Sequence, residues 1–165
     1  MAQMILERML AARHGAVPVR VASGGVGLYA RDGMLPSLDA RIVLREIGIR
    51  LAEDTLTSTD LRQHPELVSG AAVILTMTAA QRDVIRGFAG SSSDNRPPGR
   101  STVARTELDG QFVLTLRELA GEHGDIADPA AQGEEAFRAA RDEIARCLEL
   151  GFERLLQLLP PPTAR

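Results

Sequence analysis

Aromatic residues are scarce in this sequence. There is no tryptophan, one tyrosine and four phenylalanines in 165 residues, while hydrophobic residues make up 44%. A core must therefore be assembled from leucine, valine, isoleucine and alanine. A single cysteine, Cys147, excludes a disulfide framework and any zinc site built on several thiolates. No apolar run reaches membrane-spanning length and no N-terminal stretch resembles a signal peptide, so a cytoplasmic protein without a membrane partner is expected. The net charge is only −3. Nucleic-acid binding calls for a strong basic bias, so no nucleic-acid partner is expected either. Arginines and acids are interspersed along the chain, as on a solvated surface.

The length fits one domain, 1–159, followed by a tail at 160–165. No internal repeat is visible. Residues 1–14 place Met1, Ile5 and Met9 on one helical side, and Gly15 can end that helix. "VPVRVAS" (17–23) reads as a short strand, and "GGVGLYARDGMLP" as a glycine-rich loop. "SLDARIVLREIG" predicts a helix capped by Ser37 and ended by Gly48. A shorter helix is expected over about 60–69, with a break before Pro65. "AAVILTM" (71–77) is nearly continuously apolar, as in a strand buried on both faces of a parallel sheet. A helix follows from near Thr78, and the polar stretch 90–101 reads as a mobile loop. "QFVLTLREL" predicts a strand running into a helical turn. A long helix from Gly133 to Leu159 carries Phe137, Ala140, Ile144, Leu148, Phe152 and Leu155 on one face. Strands alternating with helices imply an α/β fold around a small parallel sheet.

The residues that carry chemistry are few. "DIADP" sets Asp125 and Asp128 three apart, the second pinned by Pro129. Carboxylates so placed serve as proton donors, although an Asp before Pro at a helix entrance is also ordinary turn chemistry. Cys147 lies mid-helix beside the apolar stripe, with no glycine-rich loop before it. It reads as a buried structural thiol. His14, His64 and His123 are scattered without a metal-ligand spacing, so no metal and no other cofactor is expected. "GGVG" is glycine-rich like a phosphate cradle, but no helix follows it directly.

Taken in order, "VRVASGG", "ARIVLREIGIRL", "PELVSGAAVILTMTAAQRDVI", "FVLTLREL" and "DIADP" before a long helix resemble the low-molecular-weight protein-tyrosine phosphatases and the arsenate reductases that share their fold. The resemblance runs from Met1 to about Leu158. It implies a three-layer α/β/α fold with a four-stranded parallel sheet in the order 2-1-3-4. It also implies phosphomonoester hydrolysis through a cysteinyl-phosphate, with a phosphotyrosine protein or small aryl phosphate as substrate. By the same resemblance Asp128 is the general acid. Ser23 either braces the phosphate loop or is an ordinary strand-end serine. Tyr29 either walls the pocket or is a half-buried surface ring. Ala130 and Ala131 stand where the family often has aromatic residues, which thins the substrate wall.

The family's nucleophile lies in a Cys-x5-Arg loop joining the first strand to the first helix, and these 165 residues contain no such loop. "MAQMIL" aligns with the helix that follows it. The expectation is that the loop and an interior strand are encoded upstream of Met1, and that the 165-residue chain alone is inactive. Two other readings stand beside it: a phosphatase-like binding or regulatory protein, and an arsenate reductase. The latter would need further thiols, for which Cys147 is a poor candidate.

Overall fold

The computed structural model describes residues 1–13, 19–51, 56–90, 107–108 and 111–160, and side chains outside 88–90 and 107–108. The stretch 91–101, expected to be mobile, lies outside the described residues. Two strands form the centre. β1 (Val73–Thr76) runs parallel to β3 (Gln111–Thr115), with Val73 beside Phe112 and Thr76 beside Thr115. The two-residue β2 (Glu107–Leu108) pairs antiparallel on the other edge of β3, giving the order β1-β3-β2.

Strand periodicity divides the core, because successive side chains point to opposite faces. Ile74 and Val113 turn to one face, where they meet Val68 and Ile85. Those two residues come from α3 (Pro65–Ser69) and α4 (Ala79–Gly90). Val73, Leu75 and Leu114 turn to the other face, into a larger cluster with Ile5, Leu44, Leu116, Ile144 and Leu148. That cluster is supplied by α1 (Ala2–Ala12), α2 (Leu38–Glu46), α5 (Leu116–Leu119) and α6 (Glu134–Leu158). Helices thus cover both faces of the sheet in three layers.

Local chemistry sets the ends of these elements. Ser37 Oγ accepts from the Ala40 amide, and Gly48 closes α2 at φ +80°. Thr78 Oγ1 accepts from the Gln81 amide at the start of α4. Thr115 and Glu118 form a reciprocal capping box that turns β3 directly into α5. α6 begins after Gly133 (φ +83°) and buries the whole apolar stripe expected of it. Gly151 lies against α5 so closely that a Cβ there would come within 2.5 Å of Leu119. Each fully buried leucine of this stripe contributes about 1.5–3 kcal/mol.

Two expectations are corrected. The helix foreseen over 60–69 starts only at Pro65, because proline fits the first helical turn and 61–63 form a turn before it. The strand foreseen at 17–23 is absent over its described part, 19–23. The parallel sheet accordingly has two strands rather than three. A strand needs a neighbour for its amides and carbonyls, and among the described residues no strand lies beside 19–23. Val21 O instead accepts from the Gln3 side chain at 3.3 Å. Further along, an isolated parallel bridge joins Gly25 to Asp60.

Candidate active site

The acid loop at 125–129 is tied to the C-terminal end of β1. The Ile126 amide donates to Met77 O at 2.9 Å, and the Ile126 side chain is buried in the larger core cluster. Asp125 Oδ1 accepts from the Ala79 amide at 2.8 Å, satisfying one of the free donors that open α4. Asp125 is therefore held by the scaffold. Its carboxylate anchors the loop to the helix that follows the strand.

Asp128 is exposed, and among the described residues its carboxylate accepts a local bond, from the Ala130 amide at 3.0 Å. Gln132 Nε2 donates to Asp128 O at 2.5 Å, and the Gln132 amide closes a turn onto Pro129 O. Ala131 sits in the left-handed region at φ 61°, uncommon for a residue with a Cβ. The loop thus carries a backbone fixed at both ends and a carboxylate exposed at its tip. It opens on a cleft of about 400 Å³ lined by Asp125, Asp128, Pro129, Gln132, Ala136 and Ala140.

Ser23 Oγ donates to Gln3 Oε1 at 2.7 Å, which places it at the first turn of α1. Tyr29 is 92% exposed and does not line the cleft beside Asp128. Cys147 is fully buried, and that burial pushes its thiol above the ordinary range. Its Sγ lies near Glu143 and Glu122, a grouping that could hold a cation. Both carboxylates are already engaged by Arg146 and Arg117, so a metal ion there would have to displace guanidinium groups.

A second polar network escaped the sequence reading. Buried Asp60 takes a bidentate pair from Arg62 and a further bond from Gln63, which hold its carboxyl well below the usual carboxylate range. Asp32 accepts from the Asp60 amide at 2.7 Å and faces His64 Nε2 at 2.9 Å. These bonds fasten the loop around residue 30 to the segment before α3. The partners lie about thirty positions apart, so no local pattern announces them.

No family model matches the chain. A protein-arginine phosphatase of Geobacillus stearothermophilus is 33% identical over 138 residues, 83% of this chain and 77% of the relative. The solved structure of the YwlE arginine phosphatase from Geobacillus stearothermophilus superposes with a TM-score of 0.68 at 30% identity, covering 94% of this chain and 83% of that one. A YwlE mutant from Bacillus subtilis has the same fold, with a TM-score of 0.68 at 24% identity over 94% of this chain and 88% of that one. The first two relatives are named for phosphoryl groups on arginine, where the resemblance read from the sequence implied tyrosine. With this identity over most of its length, the chain belongs to the low-molecular-weight protein-tyrosine phosphatase family.

Proposed function

We propose that this chain carries the general-acid side of a phosphatase active site that removes phosphoryl groups from arginine side chains of proteins. The reading rests on one observation above all. In a member of this phosphatase family, the Asp-Pro loop is anchored at the C-terminal end of a parallel strand with the Asp128 carboxylate exposed at its tip. Ligands of open α/β sheets bind at the carboxyl ends of the strands.

In this scheme a thiolate from a Cys-x5-Arg loop attacks phosphorus. An S–P bond forms as the P–N bond breaks, and the electron pair of that bond goes to the guanidino nitrogen. Asp128, protonated, gives its proton to that nitrogen, and arginine leaves as its guanidinium. The Asp128 carboxylate then takes a proton from water as the water oxygen attacks phosphorus, which releases phosphate and the thiolate. Backbone amides at the N-terminus of α1 are suited to an anion, because the first amides of a helix lack intrahelical acceptors. Ser23, hydrogen-bonded to Gln3 in the first turn of α1, is suited to brace the loop before that helix. Small residues at Ala130 and Ala131 leave no aromatic sandwich for a phenol ring, in keeping with a guanidino leaving group.

The test supplies a β-strand and Cys-x5-Arg-Ser-Pro loop ahead of Met1 and compares substrates. Faster kcat/KM on a phosphoarginyl protein than on a phosphotyrosyl one is expected. The reverse order would return the substrate to tyrosine. Arsenate reduction with a thiol donor, or no turnover at all with the loop in place, would favour the reductase or the non-catalytic reading instead.

A further inference from the structure

A second cavity, of about 310 Å³, opens between α4, α5 and α6. Arg82 and Arg86 project into it from successive turns of α4, Arg154 from α6, and His123 from the turn after α5. Glu118 and Glu122 also line it, but neither carboxylate is free. Glu118 accepts from the Thr115 amide in its capping box and pairs with Arg82. Glu122 is taken by Arg146 through both oxygens and by Arg117.

The other two guanidinium groups are held differently. Arg86 Nη2 donates to Val113 O at 3.1 Å, and Arg154 Nη1 donates to Glu118 O at 2.6 Å. Main-chain carbonyls fix the position of a guanidinium without cancelling its charge. Among the described residues the carboxylate nearest either group is Asp83, 4.0 Å from Arg86 Nη1 and bonded more closely to Arg82. Arg86 Nε is buried without an acceptor, a donor left over beside the cavity. Two positioned guanidiniums with spare donors match the oxygens of a tetrahedral dianion.

We propose that this cavity binds a phosphate-type oxyanion, apart from the acid loop and independently of it. The phosphate has two sources, free inorganic phosphate and a phosphorylated side chain of a protein. One titration separates them on the 165-residue chain as it stands. The Arg86 and Arg154 Nε–H resonances are followed in the ¹⁵N-labelled protein with sodium phosphate, with a phosphoarginine peptide, and with sodium chloride at matched ionic strength. Saturable shifts with phosphate and none with chloride are expected, and the tighter of the two phosphate probes names the source. Arg154→Ala and Arg86→Ala should each weaken binding by about tenfold, the value of one charge-assisted hydrogen bond. Arg154 is exposed, so its variant keeps the fold even if loss of the Arg86 bond to Val113 disturbs it. Equal shifts with chloride, no saturation with either phosphate probe, or unchanged affinity in Arg154→Ala would overturn the site.

Discussion

The C-terminal half of the molecule and the segment 19–34 are built from similar sequence signals with different results. From β3 onward each element finds its neighbour. β3 pairs with β1, Thr115 and Glu118 cap the turn into α5, and α6 lays its stripe over both. In 19–34 the β-branched run "VRV" has, among the described residues, no strand beside it and stays irregular; Val21 O is held by the Gln3 side chain, and an isolated bridge forms only further on, at Gly25. The contrast shows that β propensity expresses the fit to a neighbour more than a preference of the chain itself.

The largest effect expected from this contrast is in the well-paired half. Leu148→Ala, at a fully buried position of α6, should cost about 2–5 kcal/mol in chemical denaturation. Val21→Ala, in the unpaired run, should cost well under 1 kcal/mol. Equal losses would mean that 19–34 is as much part of the cooperative core as α6. Next in size is Asp125→Ala, which removes the acceptor of the Ala79 amide and should cost about 0.5–2 kcal/mol, as loss of a helix cap does. If its denaturation midpoint matches that of the parent chain, the loop is not anchored through this carboxylate. Supplying a strand ahead of Met1 should sharpen the contrast from the other side. The amides of Val19 and Val21 should then become protected from hydrogen exchange, and continued rapid exchange would remove the missing neighbour as the reason for their irregularity.

The smallest effect concerns pH. Asp32, together with Glu66, raises the His64 pKa above its ordinary value near 6.5. The folded value exceeds the unfolded one, so the contribution is fully present below the unfolded pKa. It is lost as the pH rises through the folded value. Asp32 is shifted the other way, chiefly by the Asp60 amide and then by His64. Its contribution is present above an ordinary carboxylate pKa and is lost as the pH falls through the lowered one. His64→Gln should flatten the slope of stability against pH from the ordinary imidazole value upward. An unchanged slope would show that the imidazole titrates without a partner.

Much of the fold was legible because its signals are local. Ser37, Gly48 and Gly133 mark helix ends within a few residues of themselves, and the period of the α6 stripe names its buried face. The Thr115–Glu118 capping box is equally local, a threonine followed three residues later by a glutamate at the end of an apolar run. Long-range partners left no such trace. Arg141 reads as one more charge on a helix, yet it is buried between Val43 O and Glu46. Asp60 reads as a turn acid and is a buried hub. At the candidate site the residues place both aspartates in one loop, and the resemblance alone gives the proton to Asp128; what holds Asp125 is not written locally. The anchoring of Asp125 depends on Ala79, which is 46 residues away from it in the chain.

The division of labour between these aspartates is the central claim, and one measurement addresses it most directly. In the chain preceded by a strand and a Cys-x5-Arg-Ser-Pro loop, kcat/KM, which reports the step that expels the leaving group and not the later attack of water, is compared for Asp128→Asn and Asp125→Asn across phosphoryl substrates of increasing leaving-group basicity. Loss of a general acid lowers the rate by about 10²–10⁴-fold. Asp128→Asn should show that loss with phosphoarginine and with poor phenolic leaving groups, and should approach the parent rate with p-nitrophenyl phosphate. Asp125→Asn should lower all rates by a similar, small factor. A leaving-group-dependent loss in Asp125→Asn, with Asp128→Asn nearly unaffected, would contradict the account and move the proton to the residue assigned here as the anchor.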